Sequence, residues 1–190
     1  LMHYLNRVDQ KKMYHSALKS LAGTHKDELN ALVLRYLYEQ IKFHIYIGTW
    51  QIIQNHQQRG EPVVFISASP VFMVRALASF LGADDILFTK IYFDEDDRLT
   101  SELDEIICYG EGKVVLAQQY LDSIGVVMEE CYFYSDSISD LPLLEKVRYP
   151  VAVNPDWQLF VKAKLEDWTI HRFHDLYYHV TRPESRKGVL

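Results

Sequence analysis

The sequence has little cysteine, and neither thiol stands in a pattern that binds zinc. Its 190 residues contain only Cys108 and Cys131, and neither belongs to a C-x-x-C pair or has a histidine at ligand spacing. This argues against a zinc module and against a disulfide-rich secreted domain. Because Cys131 opens an apolar, strand-like run, we expect a buried, reduced thiol there and a cytoplasmic protein.

Long apolar runs and excess positive charge are also missing. The most apolar window, residues 31–50, is broken by Arg35, Glu39 and Lys42 and falls short of the roughly 20 apolar residues of a membrane span. The start of the chain lacks the basic-then-apolar pattern of a signal peptide. The formal net charge is −6, which does not suit wrapping nucleic acid. We therefore expect no membrane span and no nucleic-acid partner, and the sequence does not indicate an oligomeric state.

What is present is a core-forming chain whose organisation changes near residue 60. Hydrophobic residues make up 48% of the sequence, which excludes a disordered protein. Helical periodicity dominates residues 1–58, whereas strands and helices alternate from residue 62 onward, which predicts an α/β fold with a parallel sheet. We predict a helical unit at 1–58, an α/β core at 59–175 and a polar tail at 176–190.

The finer pattern predicts individual elements. Helices are expected at 8–22, from a Thr24 cap onward, and at 48–58. Apolar runs at 63–67, 131–135 and 150–153 are typical of buried parallel strands. The acidic turn "DEDD" at 94–97, flanked by "ILFTKIYF" and "RLTSEL", predicts a β-hairpin.

Residues whose side chains could take part in binding or catalysis follow the predicted strands or begin a predicted helix. Ser67 ends "VVFIS", Lys113 stands at a helix start in "YGEGKVV", and Asp136 and Asp140 follow "CYFY". In an open α/β sheet the ligand site lies beyond the carboxyl ends of the strands. These residues are therefore candidates for one common site.

Each of these residues also has an ordinary structural interpretation. Ser67 could be only a helix cap, although helix amides beside it could hold an anion. Lys113 could be a solvated side chain, although a cation in a first helical turn opposes the helix dipole unless an anion is bound. A helix start explains Asp140 well and Asp136 poorly. Two carboxylates at a strand end suit Mg²⁺.

In this order the segments resemble the haloacid dehalogenase (HAD) superfamily, specifically its phosphoserine-phosphatase-like subfamily IB. "VVFISAS" looks like that family's second motif, "YGEGK" its third and "YSDSISDLPLLE" its fourth, which is the most specific, and "VAVNPD" is typical just downstream. The resemblance covers about residues 60 to 175, and the helical segment before it is similar to the family's small C1-type cap. It implies a HAD-type Rossmann-like parallel sheet core.

The family's first motif is missing. No Asp-x-Asp-x-Thr follows a strand ahead of the helical unit, and the acidic turn at 94–97 comes after the second motif and is interpreted as solvated. In the family that first strand is central in the sheet, so its absence would leave unpaired backbone on both flanking strands. We therefore expect the chain to be truncated at its N-terminus.

The resemblance implies Mg²⁺-dependent hydrolysis of a phosphomonoester, phosphoserine-like, through an aspartyl-phosphate. Lys113 and Ser67 would be catalytic, Ser67, Ala68 and Lys113 would hold the phosphate of a small metabolite, and Asp136 and Asp140 would serve the metal. Without the first motif, this chain should be inactive. Two alternatives stay open: a non-catalytic phosphate- or partner-binding protein on this scaffold, and a lipid-phosphate phosphatase or phosphotransferase.

Overall fold

A computed structural model describes residues 2–176 of the chain, with side chains from residue 11 onward. The predicted tail therefore lies, apart from Leu176, outside the described residues. The helices are α1 (Met2–Leu21), α2 (Lys26–Glu39), α3 (Ile47–Gln58), α4 (Val71–Leu81), α5 (Glu111–Ile124), α6 (Leu141–Leu144) and α7 (Trp157–Leu165). The strands are β1 (Val64–Ser67), β2 (Asp85–Phe88), β3 (Ile91–Phe93), β4 (Leu99–Leu103), β5 (Tyr132–Ser135), β6 (Tyr149–Val153) and β7 (Thr169–His171).

Two parallel sheets form the α/β part of the fold, as predicted. In one, β1 pairs with β2 and Ser67 lies opposite Phe88. In the other, the order is β5-β6-β7, and Ser135 lies opposite Ala152. Both β1 and β5 are outer strands of their sheets, and no strand within residues 2–176 joins them. Each therefore presents one edge without a ladder partner.

Helix α5 packs across both sheets on one side. Its Ala117 shares a hydrophobic cluster with Met128 and Leu143, against which β1 contributes Ile66 and β5 contributes Phe133. The three-stranded sheet has its own core beneath α6 and α7, formed by the fully buried Leu144, Ala152, Leu159 and Ala163. Among residues 2–176, packing rather than a continuous hydrogen-bond ladder joins the two sheets.

The N-terminal helices divide between two neighbours. Helices α1 and α2 bury Leu18 and Leu29 against Leu99 of the β3–β4 hairpin. Helix α3 instead packs Ile53 with Leu81 of α4 and, through partly buried neighbours, against β1. The boundary predicted at residue 58 stays a prediction.

Local differences from the predicted elements have identifiable causes. The hairpin is shorter than predicted because residues 85–88 pair with β1 instead. Helix α2 is capped by the side chain of His25, which accepts from the Asp27 amide, rather than by Thr24. Strand β7 was not predicted, because three residues that only join a sheet edge have too little pattern of their own.

Candidate active site

A buried ion pair lies at the carboxyl end of β5. The ammonium of Lys113, in the first turn of α5, donates to Asp140 Oδ2 at 2.8 Å and lies 2.7 Å from Oδ1. Both side chains are more than nine-tenths buried. A buried charge is tolerated only when it is paired. Charged residues of the third and fourth predicted segments are thus in direct contact.

The turn of the third segment needs its glycine for this placement. A β-carbon on Gly112 would collide with the backbone carbonyl of Ile107, because the chain doubles back there before α5 begins. Any larger residue would push the first turn of α5, and with it Lys113, away from Asp140. This explains in physical terms the second glycine of the "GEGK" pattern.

Asp140 is held from a second direction. Ser135, the last residue of β5, is buried and donates its hydroxyl to Asp140 Oδ2 at 2.7 Å. The same Ser135 oxygen accepts from the Ser137 amide at 3.1 Å. Sequence reasoning missed Ser135. The available signal was its position as the last residue of the strand predicted at 131–135, directly before Asp136.

Ser67 and Ala68 lie at the end of β1, near this pair. The backbone of Ser67 faces the sulfur of Cys108, which is fully buried and also feels the charges of Lys113 and Asp140. Ser67 Oγ accepts from the Ser69 amide at 3.1 Å, so part of its capacity serves the turn before α4. Burial raises the pKa of Cys108 to about 11, so it remains a thiol and not a nucleophile at neutral pH.

Asp136 differs from Asp140 in exposure. Its side chain is exposed, directly after β5. Its backbone carbonyl accepts from the Asp156 amide at 2.7 Å. The two predicted metal residues are therefore an accessible carboxylate and a buried one.

The donor set fits a hydrated Mg²⁺ better than a cation enclosed by protein. Asp140 Oδ1 is buried with an ion-pair contact but no hydrogen bond of good geometry. Mg²⁺ commonly takes one or two carboxylates and keeps several waters. Within residues 2–176, no group of three or more His, Cys, Asp or Glu side chains could enclose a metal ion.

Asp156 supports the loop that carries these carboxylates. Its Oδ2 accepts from the Ile138 amide at 2.8 Å, and its Oδ1 caps α7 by accepting from the Leu159 amide at 2.8 Å. Burial opposes its charged form, but these amide bonds outweigh burial and lower the pKa of Asp156. The sequence offered "NPD" before a helix as a capping signal, but nothing in it indicated the second bond.

No helix described between residues 2 and 176 combines the length and the apolar character needed to cross a bilayer. Both cysteines are free thiols.

Comparison with known proteins gives consistent results. The family model described as haloacid dehalogenase-like hydrolase matches residues 1–145. The "Inhibition of morphological differentiation protein" of Streptomyces azureus is 32% identical over 169 residues, covering 89% of this chain and 60% of that protein. A histidinol-phosphatase of Neisseria meningitidis is 33% identical over 169 residues, covering 87% and 75%. Phosphoserine phosphatase SerB1 of Mycobacterium tuberculosis is 32% identical over 173 residues, covering 91% and 54%.

A solved structure agrees over most of the chain. A protein of unknown function from Bordetella pertussis superposes with a TM-score of 0.81 at 26% identity, covering 93% of this chain and 79% of that one. This chain spans less than two thirds of the Streptomyces and Mycobacterium relatives. By the extent of the family match and of these identities, the chain belongs to the haloacid dehalogenase-like hydrolase family.

Proposed function

We propose that this chain provides most of the core of a Mg²⁺-dependent phosphomonoester phosphatase. Its proposed substrate is a small phosphorylated metabolite, and its proposed location is the cytoplasm. The observation that carries the proposal is the buried Lys113–Asp140 pair at the carboxyl end of β5. A desolvated ammonium at a ligand-binding edge is suited to stabilising the charge that develops on a transferring phosphoryl group.

Each residue of the site has a separate proposed task. Lys113 neutralises charge between the nucleophile and the phosphate, and Asp140 keeps its ammonium oriented. The Ser67 hydroxyl and the amide of Ala68 donate to phosphoryl oxygens. Asp136, which is exposed, is the direct ligand of Mg²⁺. Asp140 contacts the metal indirectly, by holding a water ligand of the ion. When bound, Mg²⁺ supplies charge neutralisation at the phosphoryl oxygens.

The nucleophile is proposed to come from an Asp-x-Asp strand between β1 and β5. Neither strand has a ladder partner on that side within the described residues, and both end near the buried pair. The first aspartate would attack phosphorus while the bond to the leaving alcohol breaks, and the second would protonate that alcohol. Water, deprotonated by the second aspartate, would then cleave the aspartyl-phosphate and regenerate the carboxylate.

The names of two relatives suggest the substrate class. Phosphoserine and histidinol phosphate are both phosphate monoesters of small primary alcohols that carry an amino group. We propose such an amino-alcohol phosphate as the substrate. The lipid-phosphate and non-catalytic alternatives make different predictions in the same assay.

The test starts with the DNA upstream of Leu1, where we expect an apolar strand ending in Asp-x-Asp-x-Thr. The protein encoded with that segment is then assayed with Mg²⁺ for phosphate release from phosphoserine, histidinol phosphate and phosphatidic acid. Lys113→Ala is the test variant and the exposed Lys146→Ala its control.

We expect turnover of a small phosphate ester that Lys113→Ala removes and Lys146→Ala leaves intact. Turnover of phosphatidic acid alone would favour the lipid-phosphate alternative. An in-frame start codon close to Leu1 with no such motif, or phosphate binding without turnover, would favour the non-catalytic one.

A further inference from the structure

Asp156, at the turn between β6 and α7, bonds the loop that carries Asp136 with both its main chain and its side chain. The Asp156 amide donates to the Asp136 carbonyl at 2.7 Å. The Asp156 Oδ2 atom accepts from the Ile138 amide at 2.8 Å. These two bonds, which we call the Asp156 clasp, hold the loop on either side of Ser137.

The clasp fixes the backbone from which the Asp136 side chain projects. The peptide group between Asp136 and Ser137 is bonded at both of its polar atoms. Its carbonyl accepts from the Asp156 amide, and its N–H donates to the Ser135 hydroxyl oxygen at 3.1 Å. A planar peptide group anchored at both atoms cannot rotate freely. Because the Asp136 side chain is exposed, its direction depends on this backbone.

We propose that Asp156 is a positioning residue for the metal site, and that the clasp sets the affinity of the site for Mg²⁺. Asp156 is not itself a ligand, because its two carboxylate oxygens accept from the Ile138 and Leu159 amides at 2.8 Å each. The inference rests on the proposed function, since it takes Asp136 as the direct ligand. Groups that orient a metal ligand typically change metal affinity by about 10- to 100-fold.

Two substitutions separate the clasp from the other roles of Asp156. Asp156→Ser keeps a good N-cap acceptor for the Leu159 amide, but its single short hydroxyl loses the bond to the Ile138 amide. Asp156→Glu keeps the negative charge and displaces the carboxylate by one methylene group. The first variant therefore distinguishes the clasp from helix capping, and the second distinguishes it from a general effect of charge on a cation.

The experiment uses Mn²⁺ as the probe, because it takes the same oxygen ligands as Mg²⁺ and broadens the NMR signals of nearby amides. The 190-residue chain is titrated with Mn²⁺ as wild type, Asp156→Ser, Asp156→Glu and Asp136→Asn. The dissociation constant is taken from the broadening of the amide signals of residues 135–138. Hydrogen exchange of the Ile138 and Leu159 amides is measured without metal.

We expect both Asp156 variants to raise the Mn²⁺ dissociation constant about tenfold or more. In Asp156→Ser the Ile138 amide should exchange faster while the Leu159 amide stays protected. Wild-type affinity in either variant, unchanged exchange at Ile138 or lost protection at Leu159 would overturn the inference. If Asp136→Asn still abolishes binding, those results leave the proposed function standing. A wild type that binds Mn²⁺ no more tightly than Asp136→Asn would overturn both.

Discussion

At the scale of single residues, the ammonium of Lys113 and the carboxylate of Asp136 have separable roles in the proposed chemistry. Lys113 is buried against Asp140, whereas Asp136 is exposed after β5. One is therefore a fixed charge within the protein and the other an accessible ligand. Substitutions at the two positions should respond differently to metal concentration.

In a protein extended by the proposed Asp-x-Asp strand, Asp136→Asn should weaken Mg²⁺ binding, and activity should recover partly at high Mg²⁺. The substitution keeps the side-chain shape but removes one negative charge from a strongly hydrated ion bound by few carboxylates. The measurement is the rate of phosphate release as a function of Mg²⁺ concentration. If the rate of the Asp136→Asn variant does not depend on added Mg²⁺, Asp136 is not a ligand of the metal.

Lys113→Ala should lower the rate by a factor on the order of 10²–10³, as removal of other electrostatic stabilisers does. Extra Mg²⁺ should not restore it, because the metal ligands remain in place. Removal of the Lys113 ammonium also leaves Asp140 as a buried, unpaired charge, so circular dichroism must show that the variant keeps the fold. Rescue of Lys113→Ala by metal would mean that the assigned roles are reversed.

Sequence reasoning identified Lys113 and Asp140 individually but not their pairing. Their separation of 27 residues carries no local pattern, and only the packing of α5 across β1 and β5 brings them together. Ser135, which donates to Asp140, was missed for the same reason. A serine that ends an apolar run has an ordinary local explanation.

At the scale of elements, Asp156 couples the loop after β5 to helix α7. Asp156→Ala should lower the free energy of unfolding by about 1 kcal/mol, the usual cost of a lost N-cap. Because its pKa is lowered in the fold, the ionised carboxylate stabilises the protein above the unfolded-state pKa of about 3.9, and this stabilisation is lost as the pH falls through the folded-state pKa.

Urea unfolding of wild type and Asp156→Ala at pH 7 and at about pH 3 checks this dependence, with the exposed Glu129→Ala as control. The difference between wild type and Asp156→Ala should be larger at pH 7. A difference that grows on acidification would contradict the lowered pKa.

A second element contact joins α3 to β5 near the open edges. His56 Nε2 lies 2.7 Å from the Tyr134 hydroxyl, and His56 Nδ1 lies 2.5 Å from Glu61 Oε2. Tyr134→Phe should cost about 1 kcal/mol in urea unfolding, since it leaves a half-buried imidazole nitrogen without its partner. The neighbouring Tyr132→Phe, whose ring stacks on Tyr149, is the matched control. Equal effects of the two variants would contradict a specific role for the Tyr134 hydroxyl.

The elements themselves were predictable where pattern and length agreed. The apolar runs of β1, β5 and β6 and the glycine that ends α4 at φ 75° are strong local signals. The partner of β2 was not predictable from its own residues, because "ILF" fits a hairpin arm and a parallel strand equally well. Pairing with β1 was decided by α4, which returns the chain beside the strand that precedes it.

At the scale of the whole molecule, two parallel sheets stand side by side without a shared ladder within residues 2–176. Contacts of α5 and of His56 bridge them. Strands β1 ("VFIS") and β5 ("YFYS") face the interval between the two sheets. Neither strand has a charged residue or a proline, and these are the residues that usually protect a strand edge from pairing. The fold class was predictable from alternation. This interval was expected only from the family resemblance.

The chain as it stands should release no phosphate from phosphoserine in a Mg²⁺-dependent manner. It contains Lys113, Ser67 and the two aspartates of the fourth segment, but no Asp-x-Asp-x-Thr carboxylate to form a covalent intermediate. Phosphate release is measured after repeated purification, with and without chelator. Turnover that survives purification and requires Mg²⁺ would disprove this expectation.

Adding the strand should change the stability and the association state together. A strand between β1 and β5 would satisfy the open edges of both, so their amides should exchange more slowly with solvent and the urea midpoint should rise. Without it, uncharged edges favour pairing between copies, so the chain alone should self-associate as its concentration increases. Hydrogen exchange resolved to residues 64–67 and 132–135, with sedimentation at several concentrations, tests both effects.

As control, an extension of equal length carrying a proline in its centre cannot complete the ladder. If that extension protects the two strands as well as the unaltered one does, then contacts outside the interval cause the stabilisation, and the proposed position of the nucleophile strand is wrong.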